Sequence, residues 1–325
     1  MNRFKPSLFS FIIFTMTVFT SSTCTADPLT DKALAELRNV LKTETEFVKV
    51  HAAEYLIWLG YPAEVRQVFL KENELHGDQP KYRITIWRVL AQTETDPQGK
   101  KVWYDKIFKA FGDVNGPDRL HAAETLAKLK LSPAERYPEA TQKSINDESR
   151  NMQAYTHWAL SYAPGANADR FRKDFLKMAE SDTNQIVRMI SAFILRKSGG
   201  LTETEWTELS RAALAEPADS PLKKNLLNTA IVTFPSGEKR TADYEKIRKA
   251  MTENYQRFSA GERMELAQAL AEKGDASDLP ILASYLNNEN SKGLYEADSK
   301  EAADVRANAA YAIVKIKRRI EASGK

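Results

Sequence analysis

The chain has 325 residues, room for two compact domains or one elongated array. Its 42% hydrophobic and 28% charged residues describe a folded protein rather than a disordered one, and 13 Gly and 13 Pro are few for an all-β protein of this length. A formal net charge of +3 is too small for a general nucleic-acid partner.

The first residues read as an address. Met1–Ser7 carries Arg3 and Lys5 and no acid, and Leu8–Thr20 is an apolar run broken only by Ser and Thr. That run has the length of a signal-peptide core and is short for a bilayer span. Small residues follow at Ser21–Ala26, so cleavage is expected after Ala26, with Cys24 and Ala26 at the two sensed positions. Residues 1–26 are therefore expected to be a signal peptide and 27–325 one exported domain, periplasmic or extracellular. Cleavage removes Arg3 and Lys5 and no acid, so the net charge falls from +3 to +1. Cys24 is the only cysteine, so no internal disulfide can form. A lone Cys here also resembles a bacterial lipoprotein signal, which makes Cys24 the candidate lipidation site and the one expected route to a membrane. Ser21, Ser22 and Thr23 depart from that signal's pattern.

Helical periodicity then runs through the chain. Helices are expected at Leu29–Leu41, Thr43–Gly60, Ala63–Glu74, Lys81–Thr93, Val102–Phe111 and Asp118–Leu131. A seventh is expected to start at Ser132-Pro133, since Pro is tolerated in a first turn. Glu148–Ser161, Asp169–Ala179, Gln185–Lys197, Thr202–Ala215, Pro221–Val232, Ala242–Gln256, Gly261–Lys273, Asp278–Leu286 and Ala302–Ile320 complete the series. Asn287–Ser299 is a long polar connection. The basic cluster Lys315–Arg319 is read as a helix C-terminus, where cations suit the macrodipole.

Val48–Gly60, VKVHAAEYLIWLG, returns as DRLHAAETLAKLK at Asp118–Lys130. Aligning on the second Ala of the motif gives Ala53, Trp87, Ala123, Ala154, Ala192, Ala230, Ala267 and Ala310, spaced by 34, 36, 31, 38, 38, 37 and 43 residues. Three residues on stand Leu56, Leu90, Leu126, His157, Leu195, Thr233, Leu270 and Ile313. A small residue admits the neighbouring helix and an aliphatic one fills the gap beside it. Repeats of this length with two helices each predict an all-α solenoid of about eight helical hairpins.

These copies resemble the HEAT-like (phycobilin-lyase-type) repeat, whose second helix reads roughly V-R-x-x-A-A-x-A-L-x-x-x-G. Val187-Arg188 and Val305-Arg306 stand at its V-R pair, and Val48-Lys49 departs from it. The resemblance implies an α-α superhelix whose second helices line a concave face, and binding more often than catalysis.

His51, Glu54, Tyr55 and Trp58 share one helix face and are not required by packing. His121 and Glu124 repeat the first two positions. Arg88 falls between Glu54 and Glu124 in repeat order, within reach of both carboxylates if neighbouring helices lie about 8–10 Å apart. These seven residues are the candidate partner-binding positions, with Trp58 and Tyr55 as stacking faces. The expected function is an exported, non-catalytic scaffold that holds a protein, or a glycan, on the concave N-terminal half, without a cofactor. The alternative is a metal- or cofactor-dependent enzyme or carrier using His51, Glu54, His121 and Glu124. Deoxyhypusine hydroxylase, an enzyme of this fold, holds two irons with adjacent His-Glu pairs; this chain has no His-Glu dipeptide. No Gly-rich phosphate loop, nucleophile elbow or paired-Cys motif is present.

Overall fold

A computed structural model describes residues 27–235, 237 and 240–324. The expected signal peptide and Cys24 lie outside the described residues. Sixteen α-helices and two short 3-10 turns are present among the described residues, with no strand. They are α1 (Pro28–Thr43), α2 (Glu46–Trp58), α3 (Pro62–His76), α4 (Tyr82–Thr93), α5 (Pro97–Gly112), α6 (Arg119–Lys128), α7 (Pro138–Ile145) and α8 (Arg150–Leu160). Then follow α9 (Ala168–Ser181), α10 (Gln185–Ser198), α11 (Glu203–Ala215), α12 (Pro221–Val232), α13 (Ala242–Thr252), α14 (Ala260–Lys273), α15 (Leu279–Leu286) and α16 (Lys300–Ser323). No helix among the described residues is long and apolar enough to cross a membrane.

The helices form two concentric layers of eight. Every aligned motif copy falls on an even-numbered helix. Each even helix packs on the next even one, from α2 through α16, while the odd helices pack outside them. Ala53, Ala123, Ala192, Ala230, Ala267 and Ala310 are fully buried, as are Leu56, Leu90, Leu126, Leu195, Leu270 and Ile313. Losing one such Leu to Ala costs about 2–5 kcal/mol, transfer and cavity terms together. The exceptions are Trp87 and His157, both half-buried.

The all-α hairpin array expected from the sequence is thus present, and its two ends meet. The last helix, α16, packs against α1 and α2 as well as α14 and α15. An open solenoid needs terminal helices with a polar outer face. Here α16 buries Ala303, Val305, Ala307, Ala309, Ala310, Ala312, Ile313, Val314 and Ile316 over most of its circumference, and Asp304, Asn308 and Tyr311 are buried on the remaining face. Such a helix is stable only with neighbours on all sides.

Local chemistry sets the helix boundaries. The α2 helix ends in a left-handed turn: Gly60 has φ of 91°, and the Tyr61 N–H donates to the Leu56 carbonyl at 2.9 Å. The second strong motif copy ends the same way, with Lys130 at φ of 59° and the Leu131 N–H on the Leu126 carbonyl at 2.9 Å. The seventh helix departs from expectation. It starts at Pro138, not Pro133, because the residue before a proline is driven out of the helical region, and Tyr137, with ψ of 62°, is non-helical.

The basic cluster also differs from expectation, since α16 continues past it. Two of its cations serve the C-termini of other helices, and Lys317 pairs with Asp27, the N-cap of α1, at 3.2 Å. The Arg318 guanidinium donates to the Leu59 carbonyl at 2.8 Å, and Arg319 donates to the carbonyls of Leu270 and Gly274 at 3.2 and 2.8 Å. Asn287–Ser299 is tied down by Arg263, which is fully buried and donates to the Glu289 and Asn290 carbonyls at 2.9 and 2.7 Å and to the Tyr295 hydroxyl at 3.0 Å.

Candidate functional site

The inner helices run side by side, so their C-terminal ends share one mouth of the ring. A cavity of about 390 Å³ opens there. All eight inner helices or the turns just beyond them contribute: Trp58, Gln92, Lys128, Tyr162, Lys197, Val232, Glu272 and Tyr311 stand on successive ones. A second cavity opens at the helix N-terminal ends and includes Asn225, Glu265 and Asp304. His51 and Gln268 border both, so the two meet near the ring's waist.

A belt of polar contacts lies at that waist. The Arg88 guanidinium donates to Glu54 Oε1 at 2.7 Å and to the Thr125 hydroxyl at 3.1 Å, joining α4 to α2 and α6. Gln92 donates to the same Glu54 oxygen at 2.9 Å. Across the join, the Tyr55 hydroxyl donates to Asn308 Oδ1, which also accepts from Gln268 at 3.1 Å. Arg196 of α10 pairs with Glu265 of α14, and Asn225 of α12 donates to Glu265 at 3.3 Å. Seven inner helices are connected in this way. The eighth, α8, instead presents Trp158, whose indole N–H donates to the Tyr162 hydroxyl at 3.2 Å.

Electrostatics follow from this packing. Burial alone would raise the Glu54 carboxyl, but the Arg88 and Lys128 charges and the Arg88 and Gln92 hydrogen bonds hold it at about 2. Burial, with the nearby Asp304 and Glu54 charges, pushes the Tyr55 phenol well above its ordinary range. Burial would raise Glu124 too, and the Lys128 and Arg88 charges bring it below the usual carboxylate range. Burial lowers His121.

The predicted site residues separate into three groups. His51, Glu54, Tyr55 and Trp58 all border the cavity. Of these, Trp58 presents an open face, 47% exposed. Tyr55 is buried and stacks on Tyr311 with centroids 4.6 Å apart, so it belongs to the join between α2 and α16. Arg88 and Glu124 stand behind the wall. Arg88 holds Glu54 but its second hydrogen-bonded partner is Thr125; Glu124 pairs instead with Lys128 at 2.8 Å. His121 lies elsewhere, against Phe47 with centroids 6.0 Å apart.

His51, Glu54, His121 and Glu124 are each engaged with a different neighbour. The His51 Nδ1 donates to Asp304 Oδ2 at 2.9 Å, since a carboxylate can only accept. Among the described residues no three His, Cys, Asp or Glu side chains gather as a metal site requires. The cavity also draws on both halves of the chain, where the sequence pointed to the N-terminal half.

Sequence reasoning missed Lys197, Phe193, Tyr162 and Tyr311. The Lys197 ammonium lies 5.5 Å from the Trp58 ring centroid and 5.6 Å from that of Phe193. Lys197 and Phe193 are four residues apart on one helix face, a spacing that carries no signal until α2 is known to face α10 across the ring. No family model matches this chain, and no curated protein matches it.

Proposed function

We propose that this chain is an exported, HEAT-like binding scaffold whose ligand enters the axial cavity at the C-terminal mouth of its inner helices. The observation that carries the reading is the convergence of all eight inner helices on one cavity with an aromatic wall. Its volume, about 390 Å³, lies in the range of small-ligand sites. The ring encloses its occupant, which favours a compact ligand such as a short glycan over a broad protein face. Trp58 offers the stacking face, and Gln92, Gln268, Tyr162 and His51 offer polar groups for hydroxyls. The helix-to-helix belt behind the wall holds these side chains on rigid elements, which lowers the cost of ordering them on binding.

The experiment is a glycan-array screen of the purified mature chain, followed by tryptophan fluorescence titration with the hits. Saturable binding by the parent, lost in Trp58→Ala, is the expected result. Binding that persists unchanged in Trp58→Ala would place the ligand outside the cavity. Export is tested separately: N-terminal sequencing of protein secreted by an expressing cell should begin at Asp27, whereas a lipidated Cys24 at the N-terminus would show a membrane-anchored form.

A further inference from the structure

Most charges around the cavity are compensated one by one; among the described residues Lys130, Lys197 and Glu272 are not. Arg196 pairs with Glu265, Lys128 with Glu124, Glu54 with Arg88 and His51 with Asp304. Lys197 lines the cavity, is exposed to the solvent within it and has no hydrogen bond or ion pair among the described residues. Its ammonium rests between the faces of Trp58 and Phe193. Burial, together with the Arg196 and Lys128 charges, holds its pKa below that of an ordinary lysine. The lining carries Lys128, Lys130, Arg196 and Lys197 against Glu54 and Glu272, and a concave wall with an excess of cations concentrates anions beside it.

A plainer account exists. Lys197 stands in the last turn of α10, where any cation suits the helix dipole. Arg196 is in the same turn and already meets that need. The dipole also gives no reason for Lys197 to point between two aromatic rings inside the ring of helices. Lys130 adds a further cation to the same wall. Glu272 is the one lining carboxylate without an ion pair among the described residues, and its charge opposes the lowering of the Lys197 pKa without forming an ion pair with it.

We infer that the ligand is an acidic sugar, with its carboxylate on the Lys197 ammonium and its ring face on Trp58. This rests on the reading of the cavity as the binding site. The two recognition elements are adjacent: the cation already lies over the Trp58 ring, so a sugar stacked there brings a ring carboxylate within reach of it. Trp58 is the open aromatic of the lining, and the polar side chains around it suit a hydroxylated ring.

Calorimetric titration with digalacturonate and with its neutral counterpart galactobiose tests the inference. The parent protein should bind the acid about tenfold more tightly, the value of one charge-assisted hydrogen bond. Lys197→Gln should bring the ratio between the two sugars close to one, and Lys197→Arg should restore most of it, with circular dichroism showing that both variants are folded. Equal affinities in the parent, or an acid preference that survives in Lys197→Gln, would overturn the inference. Trp58-dependent binding of galactobiose without an acid preference would overturn it while leaving the cavity as the binding site. Failure of both sugars to bind would overturn the assignment of an acidic sugar, and the glycan-array screen then decides the broader reading on its own.

Discussion

The junction between α2 and α4 and the junction between α16 and α2 perform the same task by different chemistry. Both bring two inner helices side by side. Between α2 and α4 the tie is a buried ion pair, Glu54 with Arg88, supported by Gln92 and Thr125. Between α16 and α2 it is the neutral Tyr55–Asn308 hydrogen bond and the Tyr55–Tyr311 stack, with the His51–Asp304 contact towards the other mouth. The first joins helices close in sequence. The second joins residues separated by 253 positions, and it is what turns a row of hairpins into a ring. A buried ion pair contributes little net stability but penalises heavily the loss of one partner. Neutral, stacked contacts bring apolar area with them and tolerate single changes better.

The largest expected effect follows from that asymmetry. Arg88→Met leaves Glu54 buried without its cation and should destabilise the protein by about 3–5 kcal/mol in urea unfolding. A change below 1 kcal/mol would show that water reaches Glu54. Acid makes the same test without mutation. The Glu54 carboxyl is held at about 2 against a usual 4.5, so its contribution is complete above pH 4.5 and is lost as pH falls towards 2. The loss should be on the order of 2–3 kcal/mol, and Arg88→Met should flatten that part of the stability–pH curve. At the other junction Asn308→Ala leaves the Tyr55 hydroxyl and Gln268 without their acceptor, for a loss of about 1–3 kcal/mol. Hydrogen exchange should then rise first in α1 and α16, not in α4. The smallest effect belongs to His51→Gln. The pair with Asp304 is half-exposed on the His side, and its removal should cost less than about 1 kcal/mol.

The repeat could be read from the sequence because it depends on local chemistry. A small residue and an aliphatic one, three apart, recur wherever one helix must approach another, and each copy lies on an inner helix. The start of α7 was misread because two prolines compete, and the second sets the boundary. Closure was legible in principle. From Ala302 to Ile316 the last helix carries eleven apolar residues, spread well beyond one face, which does not suit the polar outer face of a terminal solenoid helix. Half of the site was equally visible: His51, Glu54 and Trp58 stand at one helix face without a packing reason. The rest was not. Lys197, Phe193 and Tyr311 are unremarkable within their own helices and acquire meaning only across the ring, from chain segments more than 130 residues from Trp58. Glu124 looked like a second partner for Arg88 because of its repeat position, but Lys128, one turn later, reaches it first.

Ring closure is the claim on which the cavity depends, and small-angle X-ray scattering of residues 27–325 tests it most directly. A closed array of residues 27–325 should have a radius of gyration near 19 Å, the value for a compact chain of that length, with a distance distribution that ends early. Eight hairpins in an open row, about 9 Å apart, would extend over roughly 70 Å. A radius several ångströms larger, with the long tail of an elongated particle, would contradict the closed ring and remove the enclosed site with it.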